Sequence, residues 1–311
     1  MKSHTPPIIQ PLIVPDFRVP EKTTFKNKIE LYEFPGLVPE ISRIDIVFNS
    51  GKWAESTPML ANSVARLFKS GTKQKSSYQM SESIDFLGSS ISVYAGYHGF
   101  TIGIYSMRKN LIKTLNLMME CLKESVFPED EYENYIKNLS SKQSIREEKT
   151  ELIADRALKN SIFGKNHPYG YEASQEYIDQ LTLEEIRKYF LNEIQSKKPT
   201  IYISGTFGDE EIQFIEQLFA DETYVEEKDI IQHSILPSTD YIQNIKKAKS
   251  AQTSLALGSI SIDKTQDDYA KLSLTNTIFG GYFGSRLMSN IREEKGYTYG
   301  IYSILQTYRN N

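Results

Sequence analysis

The chain has 311 residues, 39% hydrophobic and 24% charged, with 36 Lys+Arg against 40 Asp+Glu for a formal net charge of -4; that is enough for about two domains of ordinary globular composition. The mildly acidic balance, without an extended basic run, argues against nucleic acid or an anionic membrane as the main partner, and no apolar run approaches the ~20 residues that a membrane helix needs. The single cysteine, Cys121, excludes an internal disulfide and a thiolate zinc cluster, and Met1 to Pro15 lack the charged and apolar regions of a signal peptide, so the chain reads as a soluble, cytoplasmic protein.

Residues 42–50 alternate Ile44, Ile46 and Phe48 on one face, the period of a half-buried strand. Met59, Leu60, Val64, Leu67 and Phe68 then recur at helical spacing in a helix over 56–70 that Ser70-Gly71 stops. A second helix runs over 77–88, and strands 91–97 and 99–106 form a hairpin around His98-Gly99. Leu111, Leu115, Met118, Met119 and Leu122 line an amphipathic helix, in which Cys121 reads as a small buried apolar residue. From Pro128-Glu129 a long helical stretch runs with few interruptions to Phe163, ahead of Gly164 to Gly170. Thr182 and Glu185 have the spacing of a capping box for a helix over 182–194, followed by strand 199–205 and helix 208–219. Residues 221–237 are charged and poorly periodic and read as a linker.

Beyond the linker the order restarts: strand 251–260, helix 266–279, Gly280-Gly281, helix 284–294 and strand 297–305. This repeats strand 42–50, the two helices after it and strand 91–97, which implies a duplicated α/β unit at a period of about two hundred residues. The fold class is α+β: a first unit over 15–220, with an antiparallel-rich sheet packed with helices, and an incomplete second unit over 238–311. Counterparts of residues 99–219 are missing from that second unit, and a half-built unit leaves an open sheet edge and a bare apolar face. The chain therefore reads as a piece of a longer protein unless another chain completes it. Gly280 to Gly284 lack the Lys-Ser/Thr of a phosphate loop and follow a helix, so a helix–helix turn fits them better.

The four histidines, His4, His98, His167 and His233, are nowhere closer than 66 residues, whereas histidine zinc motifs place two within one or two helical turns. His98 reads as an exposed hairpin-tip residue and His167 as a turn residue that packs or bonds locally.

Three blocks carry a resemblance. They are Phe48-Asn49-Ser50-Gly51-Lys52-Trp53-Ala54-Glu55 leading into a helix that ends Leu67-Phe68-Lys69-Ser70-Gly71-Thr72; His167-Pro168-Tyr169-Gly170; and Gly280 to Leu287 followed by Ile291 to Tyr299. Together they resemble the insulinase/pitrilysin family of zinc peptidases, from about residue 25 onward. The resemblance implies two related α/β units facing each other across a chamber. It also implies an inverted zinc motif, His-x-x-Glu-His, on the helix ending at Gly71-Thr72. Alignment of the Gly-Thr ends puts the three motif positions at Asn62, Ala65 and Arg66, on the helix face opposite Leu60, Val64 and Leu67. Asn62 is a poor zinc ligand, Ala65 has no proton to shuttle and Arg66 repels a cation. The family's glutamate ligand falls near Lys142 and Gln143, with Glu147, Glu148 and Glu151 close by; one carboxylate without histidines cannot hold zinc.

In family enzymes an arginine and a tyrosine from the second half contact substrate and the carbonyl under attack. Arg292 and Tyr299 match them, and a guanidinium and a phenol can both donate to a developing oxyanion. The bland alternative pairs Arg292 with Glu293 or Glu294 and packs Tyr299 in a strand. Asn62, Ala65 and Arg66 can equally be an ordinary exposed helix face. The resemblance thus implies a non-catalytic subunit with no metal or cofactor of its own, binding peptide substrate through Arg292 and Tyr299 for a homologous zinc-bearing subunit. The alternative is a peptidase-like structural or peptide-binding protein with no proteolytic role. An unrelated enzymatic activity has no constellation to support it.

Overall fold

A computed structural model describes residues 11, 13, 19–36, 40–220, 223–225 and 231–309. Strand β3 (Ile41–Phe48) buries Ser42, Ile44, Ile46 and Phe48 and turns Arg43 outward. β5 (Phe100–Met107) buries Phe100, Ile102 and Ile104, and β6 (Pro199–Gly205) buries Ile201 and Ile203. With β1 (Glu21–Thr24), β2 (Glu30–Pro35) and β4 (Ser90–Ala95) they form one sheet in the order β1-β2-β6-β3-β5-β4. All neighbours are antiparallel except β2 and β6. The period-2 alternation therefore makes one sheet face apolar, and helices cover it. The other face shows exposed Arg43, Tyr94 and Tyr105, with Tyr32 and Tyr202 stacked at 5.3 Å.

Helix α1 (Leu60–Leu67) lays Leu60, Val64 and Leu67 on this core. α2 (Ser77–Phe86) starts at a capping box in which the Ser76 and Gln79 side chains bond each other's backbone N–H. α3 (Arg108–Glu124) buries Leu111, Leu115, Met118, Cys121 and Leu122, and burial pushes the Cys121 thiol up to about 12. The long stretch after Pro128 is two helices, α4 (Glu129–Glu147) and α5 (Thr150–Phe163). Lys149 is extended (φ -89°, ψ 110°) and breaks the run within the charged Glu147 to Glu151 stretch. α6 (Gln175–Gln180) and α7 (Leu183–Tyr189) follow; the Thr182 hydroxyl accepts from the Glu185 N–H at 3.2 Å, and a π-helical turn, Phe190–Gln195, closes the expected 182–194 helix. α8 (Asp209–Ala220) completes this part.

Strands β1 and β2 were not anticipated, although Ile29 and Leu31 alternate with polar neighbours. β6 reaches the sheet centre from 150 residues downstream of β3 to separate β2 from β3, which no local pattern announces.

Residues 231–309 depart most from expectation. α9 (Tyr269–Asn276) and π-helical segments Thr277–Gly281 and Met288–Glu294 stand where helices 266–279 and 284–294 were expected. Segments 251–260 and 297–305 are not strands. The first unit supplies the physical reason. There β3 is paired by β6 and β5, and β4 is paired by β5 alone. Among the described residues no strand stands beside 251–260 or 297–305, so neither segment has a strand partner for its backbone. Leu255 and Leu257 are accordingly more than four-fifths exposed. Residues 221, 222 and 226–230 of the linker lie outside the described residues; the Val225 N–H donates to the Ser196 carbonyl, and residues 236–258 touch α5 at several points. The Leu236 N–H donates to the Phe163 carbonyl (3.1 Å), Ser238 N–H to that of Ser161 (2.8 Å), and the Thr150 and Ser254 hydroxyls meet at 2.7 Å. A Cβ on Gly258 would stand 3.0 Å from Leu158.

An ion pair with a buried carboxylate ties α8 to the start of α3. Glu211 accepts from Arg108 Nε (2.7 Å) and Nη2 (3.1 Å) and from the Gly208 N–H (2.8 Å). Glu211→Ala leaves Arg108 and the Gly208 N–H without this acceptor, and is expected to lower unfolding free energy by about 2 kcal/mol in urea titration.

Candidate functional site

The candidate site is the outward face of α1. Because Leu60, Val64 and Leu67 are buried, a 100° turn per residue brings Asn62, Ala65 and Arg66 to the other side: Asn62 and Ala65 are half-buried and Arg66 is exposed. Among the described residues neither Asn62 nor Arg66 has a side-chain hydrogen bond or ion pair. α1 packs beside β4, the sheet's edge strand, and against α4. Lys69, just past the helix, donates to the Ile91 carbonyl on that edge, and Ser63 meets the Tyr135 hydroxyl at 3.0 Å.

The start of α1 is held by Glu55. Its carboxyl accepts from the N–H groups of Ala61 (2.8 Å) and Met59 (3.2 Å) and from the Tyr171 hydroxyl. Glu55 thereby caps the helix and fixes Met59, a buried residue in the left-handed region at φ 79°, a conformation that costs a non-glycine residue about 1–2 kcal/mol. Burial pushes the Glu55 carboxyl up to about 7, against the pull of these three donors and the nearby Lys52. Sequence reading missed this residue as a cap, because it stands five positions before α1 and reaches its N–H groups through an intervening turn.

The carboxylates near the expected third ligand are engaged or dispersed. Gln143 is buried and donates to Glu147 at 3.0 Å; Glu148 pairs with Lys247 at 3.1 Å; Glu151 is exposed. Among the described residues no group of three or more His, Cys, Asp and Glu could hold a metal ion. With Asn62, Ala65 and Arg66 on α1, the residues present do not fit zinc.

The structure does not bring Arg292 and Tyr299 into a shared pocket. Arg292 Nη1 bonds Glu293 at 2.7 Å, with the guanidinium 4.8 Å over the Phe283 ring. Tyr299 is 90% exposed. His98 is a correction: its ring packs on Trp53 at 4.5 Å and bonds the Tyr169 hydroxyl. His167 packs and bonds locally, its Nδ1 accepting from the Tyr169 N–H at 3.1 Å, and His4 lies outside the described residues.

Residues 38–172 match insulinase (peptidase family M16), and residues 180–311 match the peptidase M16 inactive domain. The chain belongs to the insulinase (M16) peptidase family. The boundary between the two matches falls before β6, which nonetheless folds into the first sheet. Curated relatives include the uncharacterized zinc protease YmxG of Bacillus subtilis, 21% identical over 81% of this chain and 61% of its own length. A non-peptidase homolog YmxG of Helicobacter pylori is 22% identical over 88% of this chain and 63% of its own length. The chain thus spans about six-tenths of these relatives. Among solved structures, a peptidase M16 inactive domain from Pseudomonas fluorescens superposes with a TM-score of 0.73 at 19% identity, over 93% of this chain and 71% of that one. A protease from Helicobacter pylori gives 0.74 at 16% identity, over the same shares. These likenesses show the M16 fold. No helix among the described residues is long and apolar enough to cross a membrane.

Glu55 makes a pH prediction with a definite sign. Its folded value of about 7 lies above its ordinary 4.5, so its contribution to stability is complete below 4.5 and is lost as pH rises through about 7. Glu55→Gln is expected to shrink the difference in urea midpoint between pH 5 and pH 8, measured by far-ultraviolet circular dichroism.

Proposed function

We propose that this chain is a non-catalytic M16 subunit that binds peptide for a homologous zinc-bearing partner. The observation that carries the reading is the α1 face, where Asn62, Ala65 and Arg66 replace every group needed to bind zinc and activate water while the helix, its Glu55 cap and its place beside β4 are kept. An edge strand with one side free of strand partners can add an extended peptide through main-chain hydrogen bonds. Arg66, exposed and without an ion-pair partner among the described residues, offers a fixed positive charge beside that edge. In the assembled pair, Arg292 and Tyr299 would donate to the peptide carbonyl while zinc and general base come from the partner chain. The breakable Arg292–Glu293 contact is a surface pair of the kind worth little, so it does not oppose recruitment of Arg292.

The second reading, a peptidase-like structural or peptide-binding protein without a proteolytic role, is favoured by the exposure of Tyr299 and the pairing of Arg292 within its own helix. One experiment separates the two. The chain is purified with whatever homologue co-purifies stoichiometrically, and peptide turnover is measured for the pair and for each chain alone. The expected outcome is turnover by the pair, abolished by chelation, none by this chain alone, and a fall of about 100-fold in kcat with Arg292→Ala or Tyr299→Phe. Unchanged turnover in both variants would remove the transition-state role. Absence of any zinc-bearing partner would leave the second reading.

A further inference from the structure

Three of the four histidines, far apart in sequence, converge on the chain's single tryptophan. Trp53 lies in the 3-10 turn Lys52–Ala54 ahead of α1. His98 comes from the β4–β5 hairpin, His167 from the turn after α5, and His233 from the segment that follows the linker. Their rings stand 4.5, 5.4 and 4.8 Å from the Trp53 ring, centroid to centroid, and His167 and His233 are 6.0 Å apart. Tyr169, 1% exposed, sits among them at 5.1 Å from Trp53. Phe163 stacks on His167 at 5.7 Å.

This cluster is where residues 231–238 attach to the first unit. Trp53 Nε1 donates to the Ile231 carbonyl at 2.7 Å, and His233 Nε2 meets the Trp53 carbonyl at 2.9 Å. Five residues on, the Leu236 and Ser238 N–H groups bond the end of α5. The backbone leaves little slack there, since a Cβ on Gly164 would stand 2.9 Å from the Leu236 carbonyl oxygen. Trp53 thus bonds both Ile231 and His233 across the join, and the other two histidines pack against the same indole.

We propose that the Trp53 cluster is a pH-sensitive latch, which holds residues 231–238 against the first unit when His98 and His167 are neutral and releases them when these two are protonated. Among the described residues no carboxylate bonds the three rings, and His167 Nδ1 already accepts from the Tyr169 N–H, which an imidazolium cannot do. His98 faces Trp53, the Tyr169 hydroxyl and Arg309, whose positive charge opposes protonation. His167 faces Trp53, Phe163, the Tyr169 N–H and His233, so a charge on one of these two histidines opposes a charge on the other. His233 faces the Trp53 ring and carbonyl and His167. Among the described residues, two carboxylates near the cluster serve another group. Asp155 and Glu172 both pair with Lys159 at 2.7 Å, in the surroundings of Tyr97 and Tyr308, and Lys52 lies 5.0 Å over the Tyr97 ring.

Burial first, and then Arg309 for His98 and His233 for His167, hold both histidines below their ordinary 6.5. Each therefore binds a proton less readily in the folded chain than in the unfolded one. The stability they lend the latch is present above pH 6.5 and lost as pH falls below it, opposite in direction to the Glu55 effect. Release would free residues 231–238 from Trp53 and the end of α5, without requiring the sheet core to open.

The single tryptophan makes the test direct. Emission of Trp53 in the full chain is followed from pH 8 to pH 5 alongside far-ultraviolet circular dichroism and limited proteolysis. The expected result is an emission change of about two-fold with a midpoint below 6.5, at unchanged helix content. Cleavage between residues 220 and 240 should accelerate at least several-fold over the same range. Single variants His98→Gln, His167→Gln and His233→Gln are expected to shift or flatten the emission transition, and the variant that combines all three to abolish it. Emission that stays flat to pH 5 would overturn the latch. So would a transition that coincides with loss of helix content, which is global unfolding, or one that persists unchanged in all the variants.

Discussion

Helix α1 has only one face to bury. Leu60, Val64 and Leu67 must meet the apolar side of the sheet, and that requirement sets the rotation of the helix about its axis. Every other property of the candidate site follows from that rotation. The motif positions 62, 65 and 66 turn outward, the helix end lies beside β4, and the start of the helix needs a cap that its own first residues do not supply. Glu55 provides it from outside, and Tyr171, beyond α5, in turn holds Glu55. Packing and capping of α1 thus use different residues from those at 62, 65 and 66.

The electrostatics of the chain are organised around burial rather than around a metal. Glu55 is held neutral-leaning by desolvation while three donors pull the other way. Glu211 is also buried, and Arg108 reaches it with two nitrogens and keeps it paired. Burial, and then Arg309 for His98 and His233 for His167, hold these two imidazoles below their ordinary value. These three environments place carboxylates and imidazoles in opposite pH regimes within one domain, so acid and base act on different joints of the molecule.

The two halves of the chain also show what a strand needs besides its own pattern. Residues 42–48 and 251–260 carry comparable alternation of apolar residues. The first becomes a central strand, because β5 and β6 arrive on either side of it. The second finds neither neighbour among the described residues and leaves Leu255 and Leu257 exposed. Periodicity states which face a segment would bury, and pairing decides whether it is a strand at all.

Much of this was legible in the amino-acid order. The alternation at Ile44, Ile46 and Phe48, the stripes of α1 and α3, the outward turn of positions 62, 65 and 66 and the cap of Thr182 on the Glu185 N–H are local patterns, and local physics decides them. Tertiary structure alone decided the rest. It inserted β6 between β2 and β3, drew Glu55 onto the α1 N–H groups and gathered His98, His167 and His233 around Trp53. Each of those is a contact between residues remote in sequence, and a long-range contact leaves no periodic trace in the segments that make it. Composition placed three histidines apart; only the folded chain, by closing the loops between them, made them neighbours.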